Sequence, residues 1–364
     1  MAGVYISYPF CSQKCTFCNF ASGISTQAER QRYTGALKAE IGRQVWPWAP
    51  ETIYWGGGTP SLMVSEEFLS VMNLIPSEEN AEITLEAAPG TITSERARVW
   101  RRSGVNRVSL GVQSFVIEEA RRTGRKHTPE TVCADIQVLA AAGITNINID
   151  LIAGLPGQTS ASWNESLNWL GRLQPAHASV YLFEKDQDSH LGREALLGGV
   201  RYGAALLPSD DAMADFYEKA VERLAEFGLH RYEISNFARP QFESRHNLKY
   251  WRLEPYLGFG VDAHSFDGAT RWANPDSVEQ YIEKISSGDH SSASRIPTDR
   301  EEEHFFIGLR EAAGIVPTES EWQRFQTPIE RGLYAGVLER EGATLRLSPR
   351  GFLISNEIFE EFIA

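Results

Sequence analysis

Three of the four cysteines in this 364-residue chain lie within eight residues of one another. Cys11, Cys15 and Cys18 have the spacing CxxxCxxC. A loop this short can wrap three thiolates around one face of an iron–sulfur cluster, which leaves one iron open to another ligand. The alternatives are a zinc site and a loop without metal. Zinc fits less well, because structural zinc usually takes four protein ligands. The remaining Cys133 lies in a predicted helix and looks like a small buried hydrophobic residue.

Three consecutive glycines, Gly56, Gly57 and Gly58, follow the second predicted strand. Glycines let a backbone approach a ligand closely and present N–H groups to a carboxylate. A glycine triplet alone is more often a turn than a ligand site. Its position one strand–helix unit after the cysteine loop favours a ligand site here.

Polar side chains also follow the later predicted strands. Glu86 ends the third strand, Gln113 follows the fourth, and Asp150 ends the fifth, while Arg125 lies in a crossover. Carboxylates can accept hydrogen bonds from ribose hydroxyls or an ammonium group, and Arg125 can hold a carboxylate. Each residue alone could equally be structural, but their common placement favours one shared site.

The elements that position these residues alternate between strand and helix. Strands are predicted over 4–7, 52–55, 82–86, 107–110, 146–151 and 178–183, and helices over 27–45, 66–75, 94–102, 117–123, 129–142 and 161–173. Six strand–helix units in a row imply parallel strands with right-handed crossovers. The sheet is either doubly wound or curved toward a barrel, and both place ligands at the carboxyl ends of the strands.

The second half of the chain is less regular. Residues 191–207 are glycine-rich and are predicted to form a loop or a domain boundary, and the polar segment 286–298 marks a second boundary. The last part contains helices and a predicted hairpin over 337–341 and 344–347, an arrangement that resembles a winged helix. We therefore expect three parts, at 1–195, 196–290 and 291–364.

Charge and hydropathy exclude several function classes. The net charge is −13, which argues against general affinity for nucleic acid or anionic lipid. Residues 299–364 contain seven Arg and thirteen Asp or Glu, so the winged-helix-like part is not expected to bind DNA. No segment approaches the roughly 20 apolar residues of a membrane span. The start lacks a secretion signal, and unpaired thiols suit a reducing compartment, so we expect a cytoplasmic protein.

Together, these motifs resemble the radical S-adenosylmethionine superfamily. The resemblance implies a 4Fe-4S cluster whose open iron binds the amino and carboxylate groups of S-adenosylmethionine. One electron from the cluster would then split a carbon–sulfur bond and give a 5′-deoxyadenosyl radical. The implied α/β fold is a partial (β/α)6 barrel of the radical SAM type, followed by a C-terminal helical, winged-helix-like domain.

The resemblance extends to the coproporphyrinogen oxidase-like branch of this superfamily. It covers nearly the whole chain through SYPFCSQKCTFCNF, YWGGGTPS, RVSLGVQSF, IDLIAGLPGQT and SRHNLKYWR. It implies that Cys11, Cys15 and Cys18 hold the cluster. By the same resemblance, S-adenosylmethionine would contact Tyr5, Phe17, Gly57, Gly58, Thr59 and Glu86, and Gln113, Arg125 and Asp150 match residues that hold a second such molecule in the oxygen-independent oxidase. Enlarging Gly58 is then expected to crowd the nucleotide and spare the cluster.

Two features separate the chain from that oxidase. The oxidase has a fourth cysteine where this chain has Phe20, and only ten residues precede Cys11 here, too few for the extension of the oxidase. His246, Asn247, Tyr250 and Trp251 instead fit the HNxxYW motif of HemW-type haem chaperones. The resemblance implies that these four residues bind haem, and that coproporphyrinogen oxidase activity is absent.

We therefore expect a haem chaperone that carries haem b to an apo-haem (respiratory) protein. His246 is a candidate axial ligand with His264 as its competitor, and the rings of Tyr250 and Trp251 are candidates for stacking on the porphyrin. The expected partners include an electron donor protein, and membrane contact would go through a protein rather than lipid. The alternatives are an oxygen-independent coproporphyrinogen III oxidase, another radical enzyme acting on porphyrins, and a zinc-stabilised interaction module. Whether S-adenosylmethionine is cleaved stays open.

Overall fold

The computed structural model describes residues 2–288 and 295–363. The strands of this part are β1 (Gly3–Tyr8), β2 (Thr52–Gly57), β3 (Glu82–Ala87), β4 (Arg107–Gln113), β5 (Asn146–Ala153), β6 (His177–Leu182), β7 (His230–Arg231), β8 (Asn236–Ala238), β9 (Tyr256–Phe259), β10 (His264–Phe266), β11 (Thr270–Ala273), β12 (Ile296–Pro297), β13 (Leu338–Glu341) and β14 (Thr344–Leu347). The helices are α1 (Gln27–Arg43), α2 (Ser65–Met72), α3 (Ser94–Arg102), α4 (Ile117–Arg122), α5 (Pro129–Ala141), α6 (Ser160–Leu173), α7 (His190–Leu197), α8 (Asp210–Glu226), α9 (Arg245–Trp251), α10 (Val278–Ser287), α11 (Arg300–Phe306), α12 (Glu319–Arg324), α13 (Gln326–Tyr334), α14 (Pro349–Leu353) and α15 (Ser355–Glu360).

Strands β1 to β6 lie side by side in chain order and are parallel. This arrangement confirms the predicted series of six strand–helix units. Further strands extend the sheet at both edges, in the order β12-β11-β10-β9-β1 on one side and β6-β8-β7 on the other. Since the carboxyl ends of β1 to β6 share one edge, the loops that follow these strands meet there.

Local sequence explains why the crossover helices form where they do. Thr26, Thr128 and Thr159 each accept a hydrogen bond from a backbone N–H in the first turn of α1, α5 and α6, and Pro129 opens α5 as predicted. Gly143 has a φ of +84°, the left-handed conformation that ends a helix. The buried faces of these helices cover the sheet and form one large hydrophobic core with it.

A second hydrophobic core lies in the C-terminal part. Phe305, Ile329, Leu345 and Phe362 belong to it, and the β13–β14 hairpin packs with helices α11 to α15 around it. Part of the boundary predicted at 286–298 lies outside the described residues. The division into 1–195, 196–290 and 291–364 stays a proposal. Strands β9 to β12 belong to its second and third parts, but they extend the sheet of the first part.

The segment predicted as a loop over 191–207 was interpreted wrongly. It contains helix α7, which Ser189 caps through a hydrogen bond from the Gly192 N–H. The carboxylate of Glu194 then accepts hydrogen bonds from the backbone N–H groups of Arg201, Tyr202 and Ala204. The carboxylate of one glutamate therefore holds the turn that follows α7, in a glycine-rich segment that shows no periodicity in sequence.

Cys133 lies in α5 as predicted, but it is half-buried rather than fully buried. No helix within residues 2–288 and 295–363 combines the length and the apolar character that crossing a membrane requires.

Candidate functional site

A cavity of about 620 Å³ opens at the carboxyl ends of the parallel strands. The structure brings most of the predicted site residues to its wall. The cavity is lined by Cys11, Cys15, Phe17, Cys18, Gly57, Gly58, Thr59, Glu86, Gln113, Arg125 and Asp150, together with residues of the C-terminal part.

The three cysteines occupy the loop between β1 and α1. Cys15 is buried, and Cys11 and Cys18 are half-buried. The hydroxyl of Thr59 donates to Cys11 Sγ over 3.4 Å, and Ser22 Oγ lies 3.7 Å from Cys18 Sγ. Burial raises the pKa of the Cys11 and Cys15 thiols.

This donor set fits an iron–sulfur cluster. Thiolates are the soft ligands that iron–sulfur clusters use, and all three line one cavity. The positive charge of Arg125 lowers the pKa of Cys11 and Cys15 against the effect of burial, so it favours the thiolate form. In the described ranges, 2–288 and 295–363, no three His, Cys, Asp or Glu side chains converge as ligands of a single metal ion.

Gly58 brings the end of β2 against the strand that leads into the cysteine loop. Its N–H donates to Tyr8 O over 2.9 Å, and the next residue, Thr59, donates from its N–H to Phe10 O over 3.0 Å. A Cβ at Gly58 would lie 2.8 Å from Phe10 N and from Tyr8 O. Because the added atoms would press on the backbone just before Cys11, we now expect a larger residue here to disturb the cysteine loop as well as the nucleotide site.

Glu86 and Asp150 place two carboxyl groups at the ends of β3 and β5. Glu86 accepts a hydrogen bond from the Tyr54 hydroxyl over 2.9 Å. Asp150 accepts from Ser109 Oγ over 3.0 Å and from Asn148 Nδ2 over 2.7 Å. Burial raises the pKa of both carboxyl groups, and the charge of Asp150 helps to raise that of Glu86 to about 7. A cationic or hydroxyl-bearing ligand would favour their ionised forms.

The replacement Glu86→Gln is expected to flatten the pH dependence of stability between about pH 4.5 and about pH 7. In this window unfolded Glu86 has released a proton that the folded chain still holds, because its pKa rises from 4.5 to about 7. The free energy of unfolding therefore falls as pH rises, by at most about 1.4 kcal/mol per pH unit from this group. Urea unfolding across this range measures the slope. Glu79→Gln, at an exposed position, is the control, and equal slopes for the wild type and Glu86→Gln would contradict the prediction.

Arg125 and Gln113 lie together on the wall beside Phe17. The guanidinium carbon of Arg125 lies 6.0 Å from the centroid of the Phe17 ring. Its Nε is buried and has no hydrogen-bond partner among the described residues, so it is available to an anionic ligand. Gln113 has a φ of +70° at an irregularity in the pairing of β4 with β5, which is a strained conformation for this residue.

Sequence reasoning missed several residues that support the site. A Cβ at Gly111 would lie 3.2 Å from Gln113 Nε2 and 3.3 Å from Arg125 Nη2, so this glycine leaves room for both side chains. The signal that could have found it is a glycine inside a strand, which often marks a close approach by another group. Ser109 and Asn148, which hold Asp150, gave no comparable signal because polar residues inside strands have many structural roles.

Tyr5 does not line the cavity. Its ring lies beside that of Tyr54, with 6.1 Å between the centroids, and burial raises the pKa of its hydroxyl. The contact of Tyr5 with a nucleotide therefore stays a prediction.

The HNxxYW motif also lies away from the cavity wall. His246 is 1% exposed at the start of α9. Its Nδ1 lies 2.8 Å from Thr52 Oγ1, and its Nε2 lies 2.8 Å from the Tyr250 hydroxyl. Burial lowers the pKa of His246 to about 3. Nδ1 thus holds α9 against β2 and Nε2 is engaged within α9, so coordination of a haem iron would break one of these bonds. The haem contacts of His246, Asn247, Tyr250 and Trp251 stay a prediction.

The replacement His246→Ala is expected to cost about 2–4 kcal/mol of stability, because it leaves buried hydroxyls without partners and opens a cavity. Urea unfolding followed by tryptophan fluorescence measures this loss. The control is His264→Ala, since the His264 side chain is 64% exposed. An unchanged haem Soret band in His246→Ala would assign His246 a packing role only, whereas unchanged stability together with a shifted band would identify an axial ligand.

Comparisons with known proteins identify the family and the fold of the chain. Residues 5–170 match the family described as the Radical SAM superfamily. The chain is 31% identical over 386 aligned residues to "Heme chaperone HemW" of Bacillus subtilis, covering 100% of this chain and 99% of that protein. It is 33% identical to the HemW of Lactococcus lactis, covering 99% and 96%. The solved structure of coproporphyrinogen III oxidase (HemN) from Escherichia coli has the same fold, with a TM-score of 0.85 at 23% identity over 99% of this chain and 89% of that one.

Proposed function

We propose that this chain, which belongs to the HemW family within the radical S-adenosylmethionine superfamily, binds haem b and hands it to apo-haem proteins. The observation that supports this most is the similarity to HemW over the whole chain, including both ends. The 4Fe-4S cluster and S-adenosylmethionine are the cofactors of the superfamily. When bound, the cluster supplies the nucleotide with an electron.

The residues of the cavity divide into those that would hold the cluster and those that would hold the nucleotide. We assign Cys11, Cys15 and Cys18 to the cluster, because they are the thiols of this wall. The Gly57–Thr59 backbone and Glu86 would orient the nucleotide, with the Glu86 carboxylate accepting from an ammonium or a hydroxyl group. Arg125 has a buried and unpartnered Nε, which supports its assignment to a carboxylate.

The C-terminal part would give the cargo its own portion of the cavity. Phe352, Leu353 and Asn356 line the same cavity as the cysteines. An apolar surface with a few polar groups fits a porphyrin, which has a flat apolar body and carboxylates at its rim. Because haem and the nucleotide would occupy one cavity, nucleotide binding would have a physical route by which to alter haem binding.

The partners of this function are proposed on chemical grounds. Transfer needs an apo-haem acceptor, and reduction of the cluster needs an electron donor protein. We place both steps in the cytoplasm, since the four free thiols suit a reducing compartment. With a net charge of −13, membrane contact would go through a protein partner rather than anionic lipid.

The test of this proposal is a haem titration of anaerobically reconstituted protein, with and without S-adenosylmethionine. We expect saturable growth of a Soret band, and then loss of that band when an apo-haem protein is added. Failure to bind haem under either condition would contradict the proposal.

The same preparation tests the enzymatic alternative. Incubation with coproporphyrinogen III, S-adenosylmethionine and a reductant is expected to give no vinyl-bearing porphyrin above the level without protein. Product above that level would identify an oxidase. Formation of 5′-deoxyadenosine in proportion to another porphyrin would identify a different radical enzyme.

A further inference from the structure

Arg310 is a partly buried cation on the cavity wall that the functions assigned so far do not use. It ends a short 3-10 helix at Gly308–Arg310 and lines the cavity on the side of the C-terminal part. Its guanidinium forms no hydrogen bond or ion pair with any residue in 2–288 or 295–363. The charges of Glu233 and Glu184 act on it only from beyond ion-pair distance, and burial lowers its pKa.

The arginines near Arg310 differ from it in this respect. Arg252 forms two hydrogen bonds with the carboxylate of Glu311, at 3.1 Å and 3.0 Å. Arg271 binds Glu303 in the same way, at 2.7 Å and 3.1 Å. A partly buried cation is usually paired, so an arginine on a cavity wall without a carboxylate at ion-pair distance is a candidate to bind an anionic ligand.

Two aromatic rings hold the guanidinium of Arg310 in place. Its central carbon lies 5.3 Å from the centroid of the Trp251 ring and 4.9 Å from that of Phe359. Such contacts use the face of the rings and leave the N–H groups of the guanidinium available for a planar, two-oxygen acceptor. Trp251 is also the last residue of the HNxxYW motif. His246 does not line the cavity, but Trp251 of the same motif contacts Arg310, which does.

The surroundings define the rest of the ligand. Arg310 shares the cavity wall with Tyr217, Ile234 and Phe352, and also with Cys15, Glu86 and Arg125, which are assigned to the cluster and the nucleotide. Ile234 adjoins Arg310, because their chain neighbours Glu233 and Glu311 pair in an isolated antiparallel bridge. A ligand that joins a carboxylate to a large apolar body matches this side of the cavity. The carboxylate of S-adenosylmethionine matches it less well, since that molecule carries a cationic and polar nucleotide.

We propose that Arg310 binds a propionate carboxylate of haem in this cavity, with Trp251 and Phe359 holding its guanidinium. The inference rests on the proposed haem function and gives it a specific anchoring residue. Charge-assisted hydrogen bonds of this kind change affinity roughly tenfold to a hundredfold.

The experiment compares haem with its dimethyl ester, in which both propionates lack a charge. Both porphyrins are titrated into the reconstituted full-length protein under identical detergent conditions. The wild type is expected to bind haem at least about tenfold more tightly than the diester. Arg310→Gln is expected to weaken the binding of haem by about tenfold to a hundredfold and to leave the diester nearly unchanged.

The matched control is Arg340→Gln. Arg340 also stacks on an aromatic ring, with its guanidinium carbon 4.4 Å from the centroid of the Trp322 ring, but it does not line the cavity. This variant removes the same charge from the same part of the chain, and it should bind both porphyrins as the wild type does. Arg310→Lys keeps the charge without the planar fork, and it should show an intermediate preference for haem over the diester.

The outcomes separate this inference from the function on which it rests. Haem binding by Arg310→Gln at wild-type strength would overturn the inference and leave the chaperone proposal standing. Equal binding of haem and its diester by the wild type would overturn the inference without any variant, so poor folding of Arg310→Gln does not protect it. A wild-type protein that binds neither porphyrin would overturn both.

Discussion

Anaerobically reconstituted Cys15→Ala protein is expected to lose nearly all of the broad visible absorbance of an iron–sulfur cluster. Cys15 is the buried member of the three cysteines, and two remaining thiolates rarely retain a four-iron cluster. The measurement is the visible spectrum, together with iron and acid-labile sulfide per chain.

Cys133→Ala is the matched control for this prediction. Cys133 is a half-buried free thiol in α5 that does not line the cavity. The control should therefore keep the full absorbance and the same iron content as the wild type. If Cys15→Ala kept its cluster, or if the two variants lost it equally, the assignment of the amino-terminal cysteines would be wrong.

Gly58→Ala is expected to destabilise the protein by about 1–3 kcal/mol, and more if the backbone cannot shift, because overpacking distorts neighbouring structure. The added Cβ would lie 2.8 Å from backbone atoms of Tyr8 and Phe10. Displacement of that backbone would move Cys11, so we also expect reduced iron content. Denaturant unfolding of the reconstituted protein measures the first effect, and iron analysis measures the second.

Gly35→Ala adds the same methyl group where there is space. Gly35 lies within α1, and a Cβ there would meet no heavy atom within 4 Å. This variant should be more stable than the wild type by about 0.5–1 kcal/mol, since alanine favours a helix over glycine. A Gly58→Ala protein as stable and as rich in iron as Gly35→Ala would show that the approach of β2 to the cysteine loop is not as described.

The first half of the fold was predictable because its strands and helices are specified by short sequence patterns. The predicted helix over 94–102 coincides with α3, and the predicted strand over 52–55 lies within β2. The buried parallel strands are short runs rich in apolar residues, and threonine caps or glycines bound many of the helices. These signals act over a few residues, so the sequence displays them directly.

Features that depend on distant partners were not predictable in this way. The pairing of β9 with the far edge of β1 joins segments about 250 residues apart, and no local pattern specifies it. The contact of His246 with Thr52, which lies 194 residues away along the chain, also has no local signal in the sequence. Arg310 likewise has no motif, and only its contacts with Trp251 and Phe359 at the cavity wall distinguish it from an ordinary charged residue.

The most direct test of the whole account is the metal and sulfide content of the wild-type chain, isolated and kept under strict anaerobic conditions. A 4Fe-4S cluster on Cys11, Cys15 and Cys18 predicts a brown protein with about four iron atoms and about four acid-labile sulfides per chain. A colourless protein that contains one zinc ion and no sulfide would contradict it, because neither the nucleotide site nor the haem function proposed here would then have its cofactor.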